Sequence, residues 1–158
     1  MNEAEVYWLI GGIIGFLIKV LLILVVFVFI SGTTYLCVKN RRKFKRNYEI
    51  AFDGRKSRSE EDFYDEFFAA REIPKDIAIK VRRLLEDELN TDLSRLKTTD
   101  DFSKNLGFFF EHDSYVDVEI VIRLEEEFGI SITDEEAAGL RTVEDIVLFA
   151  AQKTEDQD

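Results

Sequence analysis

Cysteine, histidine and proline are nearly absent from this sequence: 158 residues hold one of each, Cys37, His112 and Pro74. A single cysteine excludes an internal disulfide, and with one histidine no zinc site of the usual Cys/His kind can be built. One proline and eight glycines argue against long disordered tracts. Catalytic constellations are missing too. His112, Asp113 and Ser114 are consecutive, whereas a triad is assembled by the fold from separated residues. His112 is read as a loop residue. The many carboxylates nowhere form the Asp-x-Asp-x-Asp-Gly loop that gathers oxygens around calcium. The sequence therefore points away from an enzyme and from a metalloprotein.

Charge is divided along the chain. Residues 1–58 hold ten Lys/Arg against four Asp/Glu, and the rest hold 11 against 28, so +6 and −17 make the net −11. An acidic globular half repels phosphates, which excludes nucleic acid as a partner. Solvated helix surface accounts for much of the acid. An asymmetry of this size exceeds what solubility requires and favours a basic partner protein.

Residues 6–38 are almost wholly apolar, interrupted by Lys19. About 20 apolar residues make a spanning helix, and 20–38 reaches that length alone. A central lysine costs about 2.5–3.5 kcal/mol. The expected element is therefore a long tilted helix whose Lys19 snorkels to the outer interface, with Tyr7 and Trp8 near the far boundary. The start of the chain lacks a basic n-region, and the run is too long for an h-region; an uncleaved anchor is expected. Gly11 and Gly15 are read as lipid-facing, Cys37 as an inert apolar side chain. Lys39, Arg41, Arg42, Lys43, Lys45 and Arg46 follow at once and mark the cytoplasmic side. They also suit anionic lipid, at about 1 kcal/mol per basic residue near the surface. The expectation is a single pass of the cell membrane, N-terminus outside and C-terminal domain cytoplasmic.

The chain then divides as follows: anchor 1–38, polybasic juxtamembrane segment and linker 39–58, extra amphipathic helix 59–72, small bundle 73–152, charged and frayed tail 153–158. The linker includes a short extended piece at 48–52. Ser59 with Asp62 makes a capping signature before a helix over 60–71 that spaces Phe63, Tyr64, Phe67 and Phe68 for core packing. Pro74 fits a first helical position, and Ile77, Val81, Leu84, Leu85 and Leu89 make an amphipathic helix with Asn90 as its left-handed cap. A long loop follows over 91–113, in which Phe108, Phe109 and Phe110 fill the core, line a cavity or form a partner patch, core filling being the favoured reading. Gly129 ends the next helix, Thr133 with Glu136 opens a brief one through residue 138, and Thr142 caps the last, where Val143, Ile146, Val147 and Ala150 recur. The fold class is all-α: one transmembrane helix, an extra helix and a four-helix bundle.

The central helix, 113–128, bears two apolar stripes at helical spacing. Ile120, Val121, Leu124 and Phe128 form one; Tyr115, Val118 and Ile122 form the other. A bundle helix needs one stripe for its core, so the second needs another destination, for which a partner surface is one candidate. Carboxylates surround both. Ser114 stands at the first turn, where it or Asp113 can cap the helix. This helix resembles that of the acyl carrier protein family in Asp113-Ser114-Tyr115, then Val118-Glu119-Ile120-Val121, then the run from Leu124 to Phe128. Phe102, Leu106 and Gly107 resemble the family's Phe-x-x-x-Leu-Gly before the serine. The resemblance covers residues 73–152. Its departures are about four extra residues between Gly107 and Ser114, Tyr115 in place of leucine, and Val116 where aspartate is frequent.

The resemblance implies 4′-phosphopantetheine carried on the Ser114 hydroxyl, tethering an acyl group for delivery to partner enzymes. A phosphopantetheinyl transferase and basic acyl-processing enzymes would dock on Asp113, Tyr115, Val118, Glu119, Ile122, Glu125 and Glu126. The alternative is an unmodified carrier-like adaptor that docks a basic partner at the membrane.

Overall fold

The structure, a computed structural model, describes residues 2–111 and 116–157. Among these residues it is all-helical, with no strand, as expected. Two compact units meet between Lys45 and Arg46. The division falls inside α1 (Glu3–Phe52), a single unbroken helix. In the first unit, the apolar side chains from Phe16 to Val38 are exposed, Phe29 at 71%. Ile14–Phe52 is long and apolar enough to cross a membrane, and none of its apolar window is buried against protein.

The second unit begins with the last turns of α1. Residues 48–52, expected to be extended, are helical. Packing decides this, since helices in proteins draw most of their stability from tertiary burial. Helical spacing puts Tyr48 and Phe52 on one face, with ring centroids 4.8 Å apart. Phe52 is fully buried. The Tyr48 hydroxyl donates to the Asp92 carbonyl at 2.7 Å, and the Arg95 guanidinium lies over both rings.

Ser59 and Asp62 form the expected capping box at the head of α2 (Glu60–Phe67). The helix is shorter than the sequence pattern indicates. It gives way to a 3₁₀ turn, Ala69–Arg71, which ends on Glu72 in the left-handed conformation. Phe63 and Phe68 are fully buried by the kink, with their rings 5.6 Å apart. The extra helix is locked to α3 (Lys75–Glu88) by Arg82, a buried guanidinium. It donates to the carbonyls of Ser59 and Arg58 at 3.0 and 3.1 Å, pairs with Glu86, and covers the Phe63 ring. Those contacts satisfy two carbonyls and a cation that burial alone would make costly.

Ile77, Val81, Leu84 and Leu85 of α3 face the core. Asn90 ends the helix region with φ 45°. Beyond the 91–111 loop come α4 (Val116–Phe128), α5 (Asp134–Ala137) and α6 (Val143–Glu155). Gly129 adopts φ 66°, the left-handed state that glycine permits after a helix. Thr133 and Thr142 form capping boxes with Glu136 and Asp145. The last helix runs through Glu155, into what was expected to be a frayed tail. Lys153 accounts for part of this: its ammonium reaches Glu136 at 2.7 Å and covers the Phe149 ring. Leu93, Leu96, Leu106, Leu124, Val143 and Val147 close the core at under 2% exposure.

Candidate functional site

The two stripes of α4 separate as their spacing demands. Ile120 and Leu124 are buried at 6% and 1%. Val118 and Ile122, a turn apart on the other face, are exposed at 51% and 46%. They are the two large apolar side chains of α4 left to solvent among the described residues. Arg123 ties α4 to α3 through Glu88 at 2.9 Å, and Lys80 of α3 reaches Glu127 at 3.2 Å. These pairs sit beside the core stripe and fix which face turns outward.

The acidic residues differ in their engagements. Glu119 is exposed. Glu126 is exposed and lies 3.5 Å from Arg123. Glu125 is half-buried, and its carboxylate accepts the Ile132 N–H at 2.8 Å. It holds the connector after Gly129, a local duty that spacing could not reveal. Asp113, Ser114 and Tyr115 lie outside the described residues.

A cleft of about 680 Å³ runs along α4, from the buried Ile120 and Leu124 to the exposed Val118 at its edge. Val118, Val121 and Leu124 form one wall, Phe102 and Phe110 a second, and Ala137 with Ile146 a third; Asp117, Asp134 and Arg141 are among its polar lining residues. Asp117 to Leu124 spans about 10 Å of helix at 1.5 Å per residue. Sequence reasoning missed this cleft, because its walls come from three separate segments. The available signals were Phe102, in the family-like stretch, and the three consecutive phenylalanines.

Two of the walls are pinned together by backbone bonds. Phe102 N–H donates to the Arg141 carbonyl at 2.9 Å, Val143 N–H to Asp100, and Glu144 N–H to Thr98. The loop holds its own shape through Asp100, whose buried carboxylate accepts from Lys97 N–H, the Asn105 amide and Arg55. Asp101 accepts from Ser103 N–H at 2.7 Å. The ammonium of Lys104 beside Asp101 is the leading influence holding that carboxyl below the usual aspartate range. The aromatic wall is thus built on a braced loop.

A family model described as a phosphopantetheine attachment site matches residues 80–150. An acyl carrier protein of Thermosynechococcus vestitus is 37% identical over 78 residues, which are 49% of this chain and 91% of that protein. The chain belongs to the acyl carrier protein family. Its carrier domain is a phosphopantetheine-attachment domain, so the cofactor of the domain is covalently held 4′-phosphopantetheine. Such a domain is a carrier, and the reactive thiol belongs to the prosthetic group. The residues present fit that group. Among the described residues, Val121, Leu124, Phe102 and Phe110 give the cleft an apolar lining.

Proposed function

We propose that the protein is a membrane-anchored acyl carrier whose Ser114 bears the phosphopantetheine arm. The observation that carries this reading is the apolar cleft beginning at Asp117 and Val118, three and four residues beyond Ser114. An acyl chain on an arm attached there has a place to shed its contact with water. Burial is worth about 0.8 kcal/mol per methylene, and a cargo that also makes excursions to partner enzymes must bind the cleft reversibly. The chain's own residues supply tether, apolar lining and recognition. Partner enzymes and the transferase dock on Val118 and Ile122, with Asp113, Tyr115, Glu119, Glu125 and Glu126 around them; a basic surface complements that helix.

The anchor keeps the cargo beside a bilayer. This part of the reading rests on the exposed apolar length of α1, for which a hydrocarbon medium removes an otherwise large patch from water. The basic residues from Lys39 to Arg46 favour a cytoplasmic carrier domain and contact with anionic lipid. Residues 1–38 serve as anchor and 39–58 as the juxtamembrane segment; 59–72 brace the carrier region of 73–152. A reporter fused to the C-terminus should read cytoplasmic, and an external signal would reverse the orientation.

Intact-mass measurement after coexpression with a phosphopantetheinyl transferase tests the central claim. The expected result is a mass gain of one phosphopantetheine that disappears in Ser114→Ala. No gain with a range of transferases, on a folded chain, would leave the unmodified adaptor as the better reading.

A further inference from the structure

The Phe108–Phe110 run does not act as one unit. Phe108 and Phe109 stack at 4.4 Å and are buried at 8% and 7%. They belong to the 3₁₀ turn Gly107–Phe109 and to the packing beneath it. Phe110 departs from them. It is half-buried, its ring lies 5.8 Å from that of Phe102, and of the three it alone lines the cleft along α4. The wall made by α5 is small by contrast, built from Ala137 and Ala138. Whatever fills the cleft meets aromatic bulk on one side and methyl groups on another.

We infer that Phe110 is a specificity-determining residue that limits the size of the acyl chain the carrier shelters. The inference rests on the proposed acyl-carrier reading and adds to it the residue that sets the cargo. Three features support it. Phe110 bounds the cleft, so a smaller or larger side chain there widens or narrows the space left for an acyl chain. Its neighbour Phe102 is fixed by the N–H bond to Arg141, so the ring cannot retreat in that direction without disturbing a buried side chain. Packed interiors accommodate changes of a single methylene poorly, so the limit should be sharp. The cargo class that suits these walls is an uncharged acyl chain, because among the lining residues the charged groups are confined to Asp117, Asp134 and Arg141.

The test uses the full chain in detergent micelles. Phosphopantetheine arms bearing amide-linked straight-chain acyl groups of graded length are loaded enzymatically, and loading is verified by intact mass. Scanning calorimetry then follows the carrier-domain transition for each length. In the wild type the melting temperature should rise with length and then level off. In Phe110→Ala the levelling point should move to longer chains; in Phe110→Trp it should move to shorter ones. An unchanged levelling point in both variants overturns the inference. Should either variant fail to fold, carbon-13 methyl shifts of Val121 and Ile146 in the wild type decide: shifts that grow with length and stop at the calorimetric limit support it, and shifts indifferent to length overturn it. A failure of loading in the wild type would instead strike the carrier reading on Ser114.

Discussion

Replacing Phe52 by alanine should unfold the carrier domain at much lower denaturant, although Phe52 lies at the end of the apolar helix and outside the region that matches the family. Its side chain is fully buried. Truncating a buried phenylalanine costs about 3–5 kcal/mol, from lost transfer energy and the cavity left behind. The guanidiniums of Arg55 and Arg95, at 5.2 and 5.6 Å from its ring, also lose their aromatic partner, worth about 0.5–1 kcal/mol each at partly exposed sites. Against a total stability of about 5–15 kcal/mol, this is a large fraction. With a urea m-value of about 1–3 kcal/mol/M, the midpoint should fall by roughly 2 M. Pulse proteolysis of the full chain in micelles reads the domain transition without interference from the rest of α1. Ile50→Ala is the control: Ile50 lies two residues away and is 71% exposed, so its midpoint should scarcely move. Equal, small shifts for both variants would show that 48–52 is the linker its polar neighbours suggest, and that the Phe52 burial is wrong.

Arg82→Ala should cost about 1–3 kcal/mol, because it takes the Arg82 donor from the Arg58 carbonyl and leaves the Ser59 carbonyl only the N–H of Phe63. Arg82→Lys should not restore the loss, since an ammonium lacks the fork that reaches both carbonyls and covers Phe63; amide exchange across α2 measures both. Acid should destabilise the domain. Asp101, Glu60 and Glu136 are held below their ordinary values, chiefly by Lys104, Arg83 and Lys153 respectively. Depressed carboxyls contribute stability above the unfolded value and lose it as pH falls through the folded one. Stability should therefore be flat near neutrality and decline below about pH 4, the ordinary carboxylate range, with the decline shared among Glu60→Gln, Asp101→Asn and Glu136→Gln variants in circular-dichroism titrations.

The bundle was legible because its signals are local. Ser59, Thr133 and Thr142 each announce a capping box within four residues, and Gly129 and Asn90 mark helix ends by their conformational preferences. The alternation of stripes on α4 likewise follows from spacing alone, and Ile120 and Val118 fall on opposite sides as periodicity requires. What escaped is long-range. Tyr48 and Asp92 are joined by the Tyr48 hydroxyl across 44 positions, and no local pattern announces that the polar stretch after Lys45 buries an aromatic. The kink at Phe68 answers to Phe63 and Arg82, not to the helical run that precedes it. The cleft is the clearest instance: Phe102, Val121 and Ile146 share it only after three segments have packed.

Folding therefore reaches further upstream than the family match. The matched region is 80–150, yet Phe52, Phe63 and Phe68 are all fully buried and all precede it. Burial of a phenylalanine side chain is worth about 1.5–3 kcal/mol, so the three together contribute about 5–9 kcal/mol before the cost of ordering their backbone. That approaches the whole net stability of an ordinary domain. Arg82 adds to the argument from within the matched region, since its buried guanidinium donates to carbonyls of residues 58 and 59 and would keep only Glu86 without them. A carrier region cut at residue 80 would expose the face of α3 that Phe63 and Arg82 share. The compact unit that begins at Arg46 keeps Phe52, Phe63 and Phe68 with their ring and guanidinium partners. The last turn of α1, through Phe52, belongs to the core of the carrier unit.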